Sequence, residues 1–211
     1  MTPSKNLLLI FTRNPELGKV KTRLAKGVGD QYALEIYKRL LQHTKKVVLP
    51  IHCDKRVGYS EAVRNDDMWE ASQFQKFKQQ GTDLGDRMYH AFAKAFTDGY
   101  QKVIIVGSDL YDLKQEHIDK AFLALDTHDF VIGPAQDGGY YLLGMTQLEK
   151  SVFYNKQWGD ETVYQSTRDD LSPFSVYTLD TLNDIDYVED LKGYPEFEQF
   201  IPLSKKANSS L

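Results

Sequence analysis

Short apolar runs recur along the chain and are separated by segments with a helical pattern. Runs of three to five apolar residues occupy 7–11, 103–106, 130–132 and 140–143. Continuous apolar character is typical of strands buried on both faces. We predict two further strands, one at Val47–Ile51, which Pro50 weakens and places near a sheet edge, and one at Phe74–Phe77. Strands that alternate with helices indicate an α/β protein.

Helical periodicity fills the gaps between these strands. We predict helices over 22–26, 32–45 and 115–125, and an amphipathic helix that ends near Gly99. The apolar positions of that last helix recur every four residues, at Leu84, Met88, Phe92 and Phe96. Only a tight glycine-containing connection separates the strands at 130–132 and 140–143, so we expect an antiparallel pair there. The predicted architecture is one domain over 1–202 with a mostly parallel sheet, a late antiparallel strand pair and helices on both faces, followed by a flexible polar tail over 203–211.

Composition excludes several classes of protein. The formal net charge is −4, with cations dispersed among the acids, so we expect no non-specific nucleic-acid binding. Cys53 is the only cysteine, which excludes an intramolecular disulfide and a Cys-x-x-Cys motif and favours a packing role. No apolar stretch reaches the roughly 20 residues that span a bilayer, and the start of the chain does not resemble a signal peptide. We therefore expect a cytoplasmic protein without a membrane span.

A carboxylate directly follows the apolar strand at 103–106. The sequence continues Gly107-Ser108-Asp109-Leu110-Tyr111-Asp112. Ligands of open α/β sheets bind outside the carboxyl ends of the strands. Asp109 is therefore a candidate catalytic residue and a candidate ligand of Mg²⁺ or Mn²⁺, hard cations that prefer oxygen. Asp112 could assist, but a cap or turn role is favoured for it.

A cationic loop follows the first strand and opens a helix. Gly18, Lys19, Lys21 and Arg23 lie within six positions. The N-terminus of a helix attracts anions because it presents free N–H groups, and an arginine side chain can bind two phosphate oxygens at once. The loop is not a Walker P-loop, because Val20 follows Gly-Lys in place of Ser or Thr. Phosphate binding is favoured here over a merely solvated basic helix start.

Three further segments carry candidate residues with two interpretations each. Asp137 in Gly133–Tyr141 is either a catalytic or metal-binding carboxylate or part of a hairpin turn. Gly81 in Gln80–Met88 either borders a nucleotide or acceptor pocket or belongs to a helix start that Asp83 caps. The loop Trp158–Thr162 either faces an acceptor or anchors an exposed segment.

A fourth segment, Asn183–Leu191, holds several carboxylates before a short predicted helix. Asp186 with Glu189 three residues later has the pattern of a capping box, which assigns Asp186 to a helix start. Asp184 is then left as the candidate metal ligand. None of the five histidines stands at metal-ligand spacing, and no Gly-x-Ser-x-Gly elbow supports a serine hydrolase.

The motifs together resemble a known family. Five segments, taken in order, resemble a bacterial glycosyltransferase-like family of GT-A fold, of the type associated with radical-SAM and selenodomain proteins. These segments are Phe11–Pro15, Gly18–Leu24, Gln80–Met88, Gly107–Asp109 and Gly133–Leu142. The resemblance spans roughly 7–191. It implies the Rossmann-like nucleotide-diphospho-sugar transferase fold, which nucleotidyltransferases of molybdenum-cofactor and F420 precursor synthesis share. Asn183–Leu191 is similar to the closing acidic element of those nucleotidyltransferases.

The resemblance also implies roles for residues. By this resemblance, the loop with Lys19, Lys21 and Arg23 would contact phosphates, and Asp109 would bind the divalent metal. We further predict a metal-binding role for Asp184, and for Asp137 either that role or the orientation of the acceptor hydroxyl. The other predicted nucleotide- or phosphate-binding residues are Arg13, Gly18, Gly81, Gly107 and Ser108. The chain departs from the family at Tyr111, where relatives carry Pro, and it lacks a strict Asp-x-Asp. The expected function is transfer from a nucleotide-diphospho-sugar to a small-molecule acceptor. The alternatives are nucleotidyl transfer from a nucleoside triphosphate and nucleotide binding without turnover.

Overall fold

The computed structural model describes residues 5–202 as a seven-stranded sheet with helices on both faces. The strands are β1 (Asn6–Thr12), β2 (Asp54–Tyr59), β3 (Gln75–Lys78), β4 (Lys102–Gly107), β5 (Phe130–Pro134), β6 (Tyr140–Met145) and β7 (Val176–Thr178). The α-helices are α1 (Thr22–Val28), α2 (Asp30–Val48), α3 (Leu84–Thr97), α4 (Gln115–Ala124) and α5 (Val163–Asp170). Short 3₁₀ helices lie at Ser151–Phe153, Val188–Leu191 and Glu198–Phe200.

The strand order is β3-β2-β1-β4-β6-β5-β7. Strand β6 runs antiparallel to both of its neighbours, β4 and β5, and the other pairings are parallel. The predicted α/β class and the late antiparallel pair are confirmed. Because β6 is reversed, the turn that leads into it lies at the same sheet edge as the carboxyl end of β4.

Alternate residues of the two central strands enter two separate cores. One core, which contains α2 and α4, takes Leu8, Ile10, Ile104 and Val106. The other core, which contains α3, takes Leu7, Leu9, Val103 and Ile105. This two-residue alternation explains the continuous apolar runs, because both faces of each strand are buried. The two strands therefore form a rigid floor whose carboxyl ends carry polar residues.

The strand predicted at Val47–Ile51 is wrong. Val47 and Val48 are the last residues of α2 and continue the buried stripe formed by Ile36 and Leu40. Pro50 lies in the turn after the helix, as expected of a residue that cannot extend it. The second strand begins instead at Asp54, in a sequence too polar for the apolar pattern to mark.

A third core joins α1 and α2 to the last part of the chain. Leu24 and Ile36 pack in it with Ile185, Leu191 and Phe197. This packing holds 184–190 beside the start of α1. No helix within residues 5–202 is both long and apolar enough to cross a membrane. The tail predicted over 203–211 lies outside the described residues.

Candidate functional site

Three predicted carboxylates line one cleft of about 210 Å³. Asp109 follows β4, Asp137 lies in the turn between β5 and β6, and Asp184 lies in the segment after β7. The cleft opens at the carboxyl ends of β4 and β5, the edge where α/β sheets bind ligands. Sequence positions separated by up to 75 residues are thus brought together by the sheet order.

Lys21 joins this cleft to the start of α1. Its ammonium lies 2.8 Å from Asp109 Oδ2 and 2.8 Å from Asp186 Oδ1, and its side chain is only 4% exposed. Arg23 Nη1 reaches the other oxygen of Asp186 at 3.2 Å. The backbone of Lys21 has φ +46°, a left-handed conformation that few residues other than glycine adopt. The two ion pairs hold the side chain in place despite this backbone conformation.

The ion pairs of Lys21 with Asp109 and Asp186, which we term the lysine bridge, shift the pKa values of Lys21 and Asp109. Burial acts to lower the pKa of Lys21, but Asp109 and then Asp186 outweigh it, so the pKa lies above its usual value. Burial acts to raise the pKa of Asp109, and the ion pair and hydrogen bond with Lys21 outweigh it and hold the pKa below its usual value. Lys21 is therefore a fixed cation at neutral pH, and Asp109 is a fixed anion.

Asp184 has the opposite shift. Burial, and then repulsion from Asp137, Asp186 and Asp109, raises its pKa to about 6. The repulsion shows that the cleft carries more negative charge than Lys21 neutralises. Carboxylate oxygens are the donors that Mg²⁺ and Mn²⁺ prefer, so this donor set fits a hard divalent cation in chemistry and charge. Within residues 5–202, however, no three such side chains already stand in a metal-holding arrangement.

The predicted phosphate-binding residues divide into two groups. Arg13 is exposed, and its charge contributes to the lowered pKa of Asp109. Arg23 is half-exposed beside Asp186. Lys19, in contrast, points to solvent and pairs with Glu16 at 2.8 Å. Lys21 is thus held against a carboxylate of the cleft, and Arg13 and Arg23 are exposed cations whose charges act on the carboxylates that Lys21 pairs with.

The small residues of the predicted set have mainly backbone roles. Gly107 lines the cleft, whereas the buried Ser108 hydroxyl is 3.4 Å from the hydroxyl of Tyr37. Gly18 has φ +72° and Gly81 has φ +139°, conformations that favour glycine. A Cβ on Gly81 would also lie 2.7 Å from a backbone nitrogen. These glycines therefore shape the loops, and Ser108 points into the fold.

Asp186 is the residue that local sequence rules misassigned. The predicted capping box is wrong, because Tyr187 is the N-cap of the helix at 188–191. The carboxylate of Asp190 accepts hydrogen bonds from the backbone N–H of Asp186, at 2.9 Å, and from that of Tyr187, at 2.7 Å. The side chain of Asp186 is thereby left to bind Lys21. No local sequence signal marked this role, because Lys21 lies 165 positions before Asp186.

Two other capping predictions gave opposite results. Asp83 does cap α3, since its carboxylate accepts from Asp86 N at 2.8 Å. Asp112 does not cap α4, whose N-cap is Lys114. The hydroxyl of Tyr194 donates a hydrogen bond to Asp112 instead. Asp112 therefore lies in a turn that supports the C-terminal segment, apart from Asp109.

Tyr111, the departure from the resembled family, packs in an aromatic group. Its ring centroid lies 4.6 Å from that of His43, 5.2 Å from Tyr194 and 4.9 Å from Phe197. The contacts with Tyr194 and Phe197 are edge to face, a geometry that stabilises packing beyond the area that it buries. Tyr111 therefore links the end of β4 to the segment that carries Asp184 and Asp186.

The loop at 158–160 also reaches the cleft. Trp158, Gly159 and Asp160 line it together with Tyr140. The rings of Tyr140 and Trp158 meet edge to face at 6.4 Å. The structure thus places this loop beside the carboxylates and not on a remote surface.

Comparison with known proteins identifies relatives of this chain. Residues 41–160 match the model of a family described as an uncharacterized protein conserved in bacteria, DUF2064. The solved structure of a candidate nucleotide-diphospho-sugar transferase from Desulfovibrio desulfuricans G20 is 34% identical. The match covers 97% of this chain and 96% of that one, with a TM-score of 0.82. The comparison with curated proteins found no match.

More distant solved structures share the fold. The inositol-1-phosphate CTP transferase from T. maritima is 13% identical, with 97% of each chain covered and a TM-score of 0.60. Rv0371c from Mycobacterium tuberculosis H37Rv, solved in complex with manganese, is 11% identical, with 95% of this chain and 99% of that one covered and a TM-score of 0.56. At these identities the likeness concerns the fold.

Proposed function

Since this chain belongs to the bacterial family DUF2064, we propose that it is a nucleotide-using transferase whose donor is a nucleotide-diphospho-sugar. The observation that carries the proposal is the convergence of Asp109, Asp137 and Asp184 on one cleft at the carboxyl ends of the strands. The relative that is 34% identical is described as a candidate enzyme of this class, which supports the same donor.

We propose that the activity depends on Mg²⁺ or Mn²⁺ held by Asp109, Asp137 and Asp184. Their oxygens support this assignment, as does the repulsion from neighbouring carboxylates that adds to burial in raising the pKa of Asp184. When bound, the ion would neutralise diphosphate charge and stabilise the leaving phosphate. The manganese complex of the Mycobacterium tuberculosis relative supports a divalent ion in this fold.

The chain's own residues would share the remaining work. Lys21 holds Asp109 and Asp186 in a fixed relation, and Arg23 and Arg13 present guanidinium groups to the diphosphate. Charge placed in advance where the leaving phosphate develops lowers the barrier to transfer. Asp137, which is exposed in the turn before β6, either completes the ligand set or orients the acceptor hydroxyl.

The first test is binding. A thermal-shift screen of nucleotides and nucleotide sugars, with and without Mn²⁺, identifies the donor, because ligands of the folded state raise its apparent stability. Calorimetry of that donor with Mn²⁺ then compares Asp109→Asn with the matched control Asp112→Asn. We expect Asp109→Asn to weaken binding at least tenfold and Asp112→Asn to leave it unchanged. Equal binding by the wild type and Asp109→Asn would refute the site.

Nucleotidyl transfer is the second candidate. The cationic loop suits a triphosphate, and the T. maritima CTP transferase shares the fold over its whole length. Product analysis separates the two reactions, since glycosyl transfer releases a nucleoside diphosphate and nucleotidyl transfer releases pyrophosphate. Metal-dependent binding without either product, across a broad acceptor panel, would favour a nucleotide-binding protein without turnover.

A further inference from the structure

Part of the cleft is lined by apolar and aromatic side chains, in contrast to its aspartates. Phe11, Met88, Ile105, Tyr140, Leu143 and Trp158 line this part, which we term the apolar chamber. All six belong to, or pack against, the core on the α3 side of the sheet. The helix start that carries Arg23 packs instead with the core of α1 and α2. The chamber and the cationic loop thus lie against different cores, and the loop reaches the cleft through the ion pair of Lys21 with Asp109.

Two contacts fix the position of Trp158 in the wall of the chamber. Trp158 rests directly on Gly85 of α3, where an added Cβ would lie 2.6 Å from the indole ring atoms. Its ring also meets the edge of Tyr140. Two elements distant in sequence therefore fix the indole beside the cavity, as a binding wall requires.

The hydroxyl of Tyr140 has a poor partner. It donates to the thioether sulfur of Met88 at 3.9 Å, and thioethers are weak acceptors. Burial also raises the pKa of this phenol above its usual value, so the group stays a neutral donor. A ligand oxygen placed in the chamber would be a better acceptor for this hydroxyl than sulfur.

We propose that the apolar chamber binds the acceptor, and that the acceptor presents an aromatic or alicyclic ring with a single oxygen to Tyr140. The assignment to the acceptor rests on the proposed function, because the diphosphate is assigned to the cationic loop. The ring packs against Trp158 and Met88, and its oxygen accepts from Tyr140.

The apolar chamber should bind polyols more weakly than ring alcohols. Each additional hydroxyl that enters a carbon-lined space loses its water partners without gaining protein partners, which lowers affinity by roughly tenfold. The chamber is one part of a cleft of about 210 Å³, so it suits a small acceptor with a single ring. Tyr140 and Trp158 are thus specificity-determining residues.

The test uses the full chain without nucleotide, so that it does not depend on the transfer reaction. Calorimetry compares benzyl alcohol and cyclohexylmethanol with glycerol and myo-inositol. We expect both ring alcohols to bind at least tenfold more tightly than either polyol. Binding of the polyols at equal or higher affinity would overturn the proposal.

Trp158 provides a second readout. The other tryptophan, Trp69, is buried against Phe74 in the opposite core. Cyclohexylmethanol should therefore change the emission of the wild type but not of Trp158→Phe. The substitution Tyr140→Phe should weaken the binding of benzyl alcohol several-fold and leave the binding of toluene unchanged. Equal loss of both probes, or of neither, would refute the role assigned to the hydroxyl.

Two arms separate this proposal from the proposed function. Asp109→Asn should retain ring binding and lose metal-dependent nucleotide binding. Failure of ring binding with intact nucleotide binding would refute only the chamber, and the reverse result would refute only the donor site. In competition, a nucleoside diphosphate and its nucleotide sugar should both leave benzyl alcohol bound. Displacement by the nucleotide sugar alone would assign the chamber to the donor sugar and overturn the acceptor assignment.

Discussion

Replacing Asp184 with Asn should stabilise the protein while it impairs metal binding. The carboxylate of Asp184 is partly buried and faces Asp137, Asp186 and Asp109, which together raise its pKa from 3.8 to about 6. A raised pKa means that folding disfavours the ionised form. Asparagine has nearly the same shape and no charge, so the substitution removes the repulsion and retains the packing.

The magnitude follows from the shift. A difference of about two pKa units corresponds to about 3 kcal/mol, and partial exposure of the side chain reduces this to about 1–3 kcal/mol. Well below pH 4 the carboxyl is protonated in both the folded and the unfolded state, so the penalty is absent there, and it is still small at pH 4. The penalty grows as the pH rises from about 4 to about 6 and is complete above that range.

Thermal unfolding at pH 4 and pH 8 measures the effect. For a chain of this length we expect Asp184→Asn to raise the Tm by roughly 3–10 °C at pH 8 and by little at pH 4. Asp66→Asn, at an exposed surface position, is the control and should change neither value. The variant should also bind Mn²⁺ with nucleotide at least tenfold more weakly. A lower Tm at pH 8, or an equal gain at both pH values, would refute the repulsion argument.

Three further substitutions test the support of the site. Lys21→Met should lower the free energy of unfolding by about 3 kcal/mol in urea titrations, because it leaves the carboxylate of Asp109 without its ion pair, while Arg23 still pairs with Asp186; an unchanged midpoint would contradict the bridge. Gly138→Ala should lower the Tm and weaken nucleotide binding, since its Cβ would lie 2.1 Å from the carbonyl oxygen of Glu161 and its φ is +86°; normal stability would show that the turn adapts. Asp83→Ala should cost about 1 kcal/mol by removing the α3 cap, with Asp83→Asn as the control that retains it.

Much of the fold could be predicted from local pattern. The runs at β1 and β4 are apolar on both faces, so their burial is visible in the sequence. Strand β2 could not be found in this way, because Lys55 and Arg56 interrupt the pattern. The buried stripe of α2 was misread at its end, since two valines favour a strand when taken alone. Tertiary packing overrode that local preference.

The site was predictable where chemistry follows a strand end. Asp109 and Asp137 could be proposed from position alone, and the structure brings them to one cleft. The role of Asp186 could not be predicted, because a capping rule considers only four neighbouring residues and Lys21, the partner of Asp186, lies 165 positions away. The apolar chamber was equally hidden, since the contact of Trp158 with Gly85 appears only when α3 and the loop are packed together.

The lysine bridge also bears on the order in which the molecule is completed during synthesis. Lys21 lies 88 positions before Asp109 and 165 positions before Asp186. Contacts of such high sequence separation form slowly, and domains emerge from the ribosome N-terminal end first. A nascent chain that has exposed β7 holds all the strands of the described sheet but not the second carboxylate of the bridge. The sheet is therefore complete before Asp184 and Asp186 are made, and the cleft acquires these carboxylates only after β7.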